Sequence, residues 1–162
     1  MIVPLSEQTA HGLDEETPLY YGASWGDGAA QAADARRSVR ALLACAPRIG
    51  HIGVPPTLAM DAELAVSELV TNAIRHAPGT CGMTLRMSRQ ELTITVWDSS
   101  TEQPTPKKTD PHRIGGHGLH LVQTVSEKVV VALRATGKLI TAHLPVAPPN
   151  TGSPLLPSSI PH

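Results

Sequence analysis

The stretch from Asp61 to His76 constrains the fold more than any other part of the chain, because its spacing is that of an amphipathic helix. With about 100° between successive residues, one group of apolar side chains falls on a broad arc, as a core-facing helix requires. The group is Ala62, Ala65, Val66, Leu69, Val70, Ala73 and Ile74. Glu68 and Asn72 lie outside the arc, four residues apart and therefore adjacent on one face. The pattern predicts a helix that packs on a core and borders a cleft.

The Glu68 and Asn72 pair allows two interpretations. A carboxylate and a carboxamide at this spacing are oxygen ligands of the kind that Mg²⁺ prefers, and a carboxylate can also deprotonate a nucleophile. Alternatively, the two side chains are solvated and merely share a helical row. His76, in the last turn, similarly predicts either a favourable interaction with the helix dipole or a ligand.

Composition limits the classes of protein to which the chain can belong. Its 162 residues have room for one domain. A net charge of −1 and 17% charged residues provide no strong field for nucleic acid or a membrane surface. We find no apolar run of roughly 18 residues and no signal-peptide pattern in residues 1–10. Cys45 and Cys81 have no metal spacing, and together these features predict a cytoplasmic protein.

The remaining patterns predict a folded segment, 18–145, between a flexible segment, 1–17, and a disordered tail, 146–162. Helical spacing predicts helices over Ala29–Cys45, Thr57–Ala77 and Gly118–Ser126, with Thr57 as an N-cap. Alternation with a period of two predicts strands. These are Leu19–Trp25, two paired strands that start near Gly82 and end at Asp98, and a hairpin of Lys128–Leu133 with Lys138–Leu144.

Between Asp98 and the third helix lies a polar loop followed by a glycine-rich turn. The loop, residues 99–115, contains several prolines and has no apolar face, which is typical of lids, binding loops or disorder. The turn over Gly116–Gly118 leads into a helix N-terminus, so it predicts a phosphate cradle. A tight entry into the helix is the alternative interpretation, just as Asp98 is either a ligand or a turn former.

Histidines provide a weaker alternative, a metal site. His117 and His120 are three residues apart at a helix start, and His112 is nearby. No cysteine or carboxylate completes a zinc set in the sequence, so zinc is not favoured.

Three segments in this order resemble a known family. Ser67–Ala77, SELVTNAIRHA, is similar to the asparagine box of the ATP-binding domain that histidine kinases, DNA gyrase, a heat-shock chaperone and mismatch-repair ATPases share. Val96–Pro104 resembles its adenine-binding box, and Gly115–Val122 resembles its second glycine box. Within the family, the chain looks most like the short bacterial anti-sigma-factor serine/threonine kinases. Walker-type and Rossmann-type motifs are absent from the sequence.

The resemblance implies a role for each matching residue. Asn72 would hold Mg²⁺, and Glu68 would be the catalytic general base or polarising carboxylate. Asp98 would accept a hydrogen bond from the adenine amino group and so favour ATP over GTP. Gly116 and Gly118 would let the loop close over the phosphates.

Further residues enter the predicted site less directly. Leu119 follows the glycines and is expected to contact the cofactor, and Thr141 on the last strand is expected at the adenine end. The lid, 99–116, would supply positively charged partners for the phosphates, and the candidates are Lys107, Lys108 and Arg113.

The implied fold is an α/β (α+β) two-layer sandwich of the Bergerat type, with a mixed, mainly antiparallel sheet and the helices on one face. The implied function is an ATP-dependent anti-sigma factor kinase that phosphorylates an anti-anti-sigma antagonist. Its expected partners are a sigma factor and that antagonist, with a homodimer also allowed and with neither nucleic acid nor membrane. Ser100 and His117 stand where the kinases usually have Gly and Arg, which favours a non-catalytic ATP-binding module instead. The sequence is also compatible with a detached histidine-kinase ATPase domain and with an interaction domain that has lost its nucleotide.

Overall fold

The computed structural model describes residues 18–26, 29–49, 54–76, 79–100 and 118–146. These residues form five strands, three α-helices and a short 3₁₀ helix over Ala46–Ile49. The strands are Leu19–Trp25 (β1), Cys81–Met87 (β2), Glu91–Asp98 (β3), Lys128–Arg134 (β4) and Gly137–Pro145 (β5). The α-helices are Ala32–Cys45 (α1), Pro56–His76 (α2) and Gly118–Val125 (α3).

The strands form one sheet in the order β1-β2-β3-β5-β4. All four pairings of these described strands are antiparallel, so the sheet is not mixed in this part of the chain. Two of the four pairings, β2–β3 and β4–β5, are hairpins whose short connections allow only antiparallel pairing. The α+β sandwich is otherwise confirmed, with a helix layer on one side of the sheet.

Alternation along the strands separates a core face from an open face. In β3, Leu92, Ile94 and Val96 are buried and the residues between them are half-buried. Asp98 continues the buried series at the end of the strand, so its carboxylate enters the core side of the sheet. The period of two therefore places an acidic group where the three preceding inward positions are apolar.

The central helix, α2, provides most of the helical contribution to the core. Buried on α2 are Leu58, Ala62, Ala65, Val66, Leu69, Val70 and Ala73. The sequence also predicted Ile74 for this arc, but 42% of its surface is exposed. Ile74 lies at the margin of the arc opposite Asn72, in the last turn of the helix, and the prediction was too wide by that residue.

The predicted helix ends were close to the observed ones. α1 begins at Ala32 instead of Ala29, because Ala29 is held in a turn in which its N–H donates to the carbonyl of Gly26 at 3.1 Å. α2 begins at Pro56, so Thr57 is its second residue and not its N-cap. The Pro55 carbonyl accepts from Leu58 at 3.1 Å, which starts the helix one residue earlier than expected.

The predicted flexible segment, the tail after Val146 and most of the predicted lid lie outside the described residues, as do Gly116 and His117. None of the described helices combines the length and the apolar composition needed to cross a membrane.

Candidate functional site

Glu68 and Asn72 lie on α2, one helical turn apart, and both are half-buried. α3 packs against this part of α2 through its first residue, Gly118. A Cβ atom at Gly118 would overlap Oε2 of Glu68. The fold therefore brings the carboxylate predicted for catalysis against the last glycine of the predicted phosphate cradle, which are 50 residues apart in the sequence.

Behind Glu68, a set of polar contacts joins α1 to α2. The Ser67 hydroxyl donates to the Glu63 carbonyl at 2.7 Å and accepts from Nη1 of Arg36 at 3.1 Å. The Arg40 guanidinium donates to both carboxylate oxygens of Glu63, at 2.7 and 2.8 Å. These hydrogen bonds join α1 to the part of α2 that immediately precedes Glu68.

The Arg40–Glu63 ion pair changes the pKa of both side chains. The hydrogen bond from Arg40 lowers the pKa of the Glu63 carboxyl below its ordinary value, against the opposing effect of desolvation. The same hydrogen bond raises the pKa of Arg40. Arg36 and Arg40 of α1 thus contact α2 within the same chain.

Asp98 is buried at the end of β3, with 5% of its surface exposed. Its Oδ1 accepts a hydrogen bond from the Ser100 N–H at 2.8 Å, and its Oδ2 lies 3.0 Å from Nζ of Lys138. Gly137, before Lys138, has a φ of +155°, and a Cβ there would overlap the Asp98 carbonyl oxygen. The β4–β5 turn is therefore packed directly on the end of β3.

Lys138 is the residue of this site that the sequence analysis missed. It is 2% exposed and starts the inward series of β5, followed by Ile140, Ala142 and Leu144. A lysine at an inward position of a period-two pattern was a signal that could have been read. The sequence did not reveal that Asp98 is its partner, because the two residues are 40 positions apart and meet only through the pairing of β3 with β5.

Cys81 lies at the start of β2, at the same end of the sheet as Asp98. Burial raises the pKa of its thiol, and the negative charge of Asp98 raises it further. The thiol is consequently a poor nucleophile at neutral pH.

Thr141 lies on the other face of the sheet from Asp98. Its hydroxyl is 3.1 Å from the hydroxyl of Thr95, its neighbour across β3 and β5. The structure thus does not bring Thr141 together with Asp98, and Lys138 takes the place beside the carboxylate. Leu119 is half-buried and packs against the core, next to Gly118.

A cavity of about 370 Å³ lies at the end of the sheet that Asp98 and Lys138 occupy. Both residues are among its lining residues, together with Trp97 and the β4–β5 turn. Glu68, Asn72 and Gly118 do not line this cavity. In the described residues the site therefore has two parts, the Glu68–Gly118 contact and the Asp98–Lys138 pair.

Glu68 and Asn72 provide oxygen donors of the kind that suit a magnesium ion. Among the described residues, no three His, Cys, Asp or Glu side chains are grouped to hold a metal, and His112 and His117 lie outside those residues. Mg²⁺ commonly keeps several waters and binds through one or two protein oxygens plus phosphates. Glu68, whose carboxylate contacts Gly118 at the start of α3, and Asn72, one turn further along α2, are both half-buried and provide oxygen donors of that kind.

Residues 29–144 match the model of the histidine kinase-like ATPase domain family, and the chain belongs to that family. This membership confirms the resemblance seen in the sequence and supports ATP binding. No curated protein sequence matches the chain as a relative.

Solved structures are similar to the described fold. One contains the RsbU and RsbW domains of Rv1364c from Mycobacterium tuberculosis, with 19% identity and a TM-score of 0.53. The match covers 80% of this chain and 32% of that one, so the chain spans about a third of it. Another is the histidine kinase domain of the blue-light activated histidine kinase from Erythrobacter litoralis EL346. It has 25% identity and a TM-score of 0.45, over 74% of this chain and 66% of that one.

Proposed function

We propose that the chain is an ATP-dependent serine/threonine kinase that acts as an anti-sigma factor and phosphorylates an anti-anti-sigma antagonist. The observation that carries the kinase part is the contact between Glu68 on α2 and Gly118 at the start of α3. A helix N-terminus favours phosphate oxygens, and a carboxylate beside it can orient or deprotonate an acceptor hydroxyl. Phosphoryl transfer depends mainly on such positioning and on charge stabilisation.

Each residue would have a separate task. The Asn72 amide oxygen would bind Mg²⁺, which supplies positive charge to the phosphates, and Glu68 would accept the proton of the substrate hydroxyl. Asp98, buried at the end of β3, would accept the hydrogen bond from the adenine amino group. The lid expected between residues 99 and 116 would close over the phosphates.

The regulatory part of the proposal is supported by the sequence. The chain belongs to the histidine kinase-like ATPase domain family, and within the proteins that share its asparagine box, Ser67–Ala77, it looks most like the short bacterial anti-sigma-factor kinases. The proposed partners, a sigma factor and its anti-anti-sigma antagonist, follow from that resemblance, whereas the proposed cytoplasmic location follows from the two cysteines and the lack of long apolar runs in the sequence.

The test is phosphotransfer from labelled ATP to a candidate antagonist protein, with unmutated chain and Glu68→Gln compared. Glu68→Gln should bind ATP with nearly unchanged affinity, because the amide keeps the size of the side chain, and should lose about 10²- to 10⁴-fold in transfer rate. Glu127→Gln, at an exposed position before β4, is the matched control and should transfer normally.

Two results would contradict the catalytic proposal. One is a normal transfer rate in Glu68→Gln. The other is an unmutated chain that binds ATP and the antagonist together without moving phosphate. The second result would replace the kinase with a non-catalytic ATP-binding regulatory module.

A further inference from the structure

The buried pair of Asp98 and Lys138 is unusual because removing two charged side chains from water costs free energy. The side chains are 4% and 3% exposed, and Oδ2 and Nζ are 3.0 Å apart. Buried lysines are rare, and apolar residues of similar volume often stabilise a protein as well as a buried ion pair does. The three following inward positions of β5 are apolar, so a role in binding would explain why a lysine occupies this one.

The pair retains hydrogen-bonding capacity beyond its described contacts. A carboxylate has about four acceptor positions and an ammonium has three N–H groups. Ser100 and Lys138 contact Asp98, and Asp98 is the ion-pair partner of Lys138 among the described residues. The end of the sheet therefore holds an acceptor and a donor side by side, and both residues are among those that line a cavity of about 370 Å³.

This arrangement is complementary to the pairing edge of adenine, where the N6 amino donor is adjacent to the N1 acceptor. Guanine has the opposite order, with the O6 acceptor next to the N1–H donor. In the orientation that places N6 at Asp98, guanine would direct an acceptor at the carboxylate and a donor at the ammonium. Both contacts would be unfavourable, because the buried polar groups would be left without partners.

We propose that Lys138 is a second base-reading residue, whose ammonium donates a hydrogen bond to N1 of adenine while the Asp98 carboxylate accepts one from N6. This inference rests on the proposed binding of ATP and adds a specificity determinant to it. Asp98 keeps its ion pair when the base binds, since the base uses the remaining acceptor and donor positions. Lys138 also holds the carboxylate in place for the base.

The experiment is isothermal titration calorimetry with Mg²⁺-ATP and with an ATP analogue in which CH replaces N1. The unmutated chain should bind the analogue roughly ten- to hundredfold more weakly, the range expected for a hydrogen bond to a charged group. Lys138→Met should bind both nucleotides with equal affinity. Lys128→Met, at an exposed position on β4, is the control and should keep the full discrimination.

The outcomes separate this inference from the proposed function. If the unmutated chain does not bind ATP, the proposed function fails. If it binds ATP and the analogue equally, or binds GTP as tightly as ATP, nucleotide binding stands and the role of Lys138 is wrong. Discrimination that persists in folded Lys138→Met would assign the N1 contact to another group and also overturn the inference. Should Lys138→Met fail to fold, equal binding of the two ligands by the unmutated chain would still overturn the inference.

Discussion

Breaking the Asp98–Lys138 pair should destabilise the protein even without nucleotide. Because both side chains are at most 4% exposed and Oδ2 and Nζ are 3.0 Å apart, removing one partner leaves a buried charge uncompensated. Such single losses typically cost about 3 to 5 kcal/mol, a large part of the roughly 5 to 15 kcal/mol by which domains are stable. Asp98→Asn and Lys138→Met should therefore each lower the free energy of unfolding by about that amount.

The double variant provides the sharper measurement. Asp98→Asn with Lys138→Met removes both charges, so its cost should be well below the sum of the single costs, with a coupling of at least about 1 kcal/mol. Urea unfolding followed by circular dichroism gives all three values in one buffer. Glu127→Gln is again the surface control. Single variants that cost less than about 1 kcal/mol, or costs that simply add, would show that the two groups are not the tightly packed pair described.

Three further predictions concern the rest of the site. Gly118→Ala should leave the melting temperature nearly unchanged, because a side-chain end can move aside, but should slow phosphotransfer by displacing the α2 carboxylate. Exposed Cys45 should react with Ellman's reagent in the folded protein, whereas buried Cys81, whose pKa is raised, should react only after unfolding. Arg40 lowers the pKa of Glu63. Glu63→Gln should therefore destabilise the protein, by a small amount because the pair is exposed, at pH values above the unfolded pKa of the carboxyl. In urea titrations this destabilisation should disappear as the pH falls through the folded pKa. Three results would contradict the geometry behind these predictions. They are a rapid reaction of Cys81 in the folded protein, a normal phosphotransfer rate in Gly118→Ala, and a loss of stability in Glu63→Gln that does not depend on pH.

Local patterns were sufficient to predict the elements of the fold. The alternation in β3 ended at Asp98 as expected, and the helical arc of α2 placed Glu68 and Asn72 outside the core. Only Ile74, at the margin of that arc, was assigned to the wrong side. These features follow from the period of the residues themselves, so they do not require knowledge of their tertiary partners.

Contacts between distant segments could not be predicted in this way. The meeting of Glu68 with Gly118 depends on how α3 docks on α2, and the pairing of Asp98 with Lys138 depends on the register of β3 and β5. Nothing in the arginine spacing of α1 revealed that Arg36 would reach Ser67. Neither period nor spacing specifies which surfaces meet, and these contacts are the ones that define the site.

The central claim, that this fold binds Mg²⁺-ATP through α2 and the end of β3, is tested most directly by calorimetric titration of ATP with and without Mg²⁺. The unmutated chain should bind ATP more tightly when Mg²⁺ is present. Asn72→Ala should lose that gain and retain the weaker, metal-free binding. Absence of ATP binding, or the same dependence on Mg²⁺ in folded Asn72→Ala, would contradict the account.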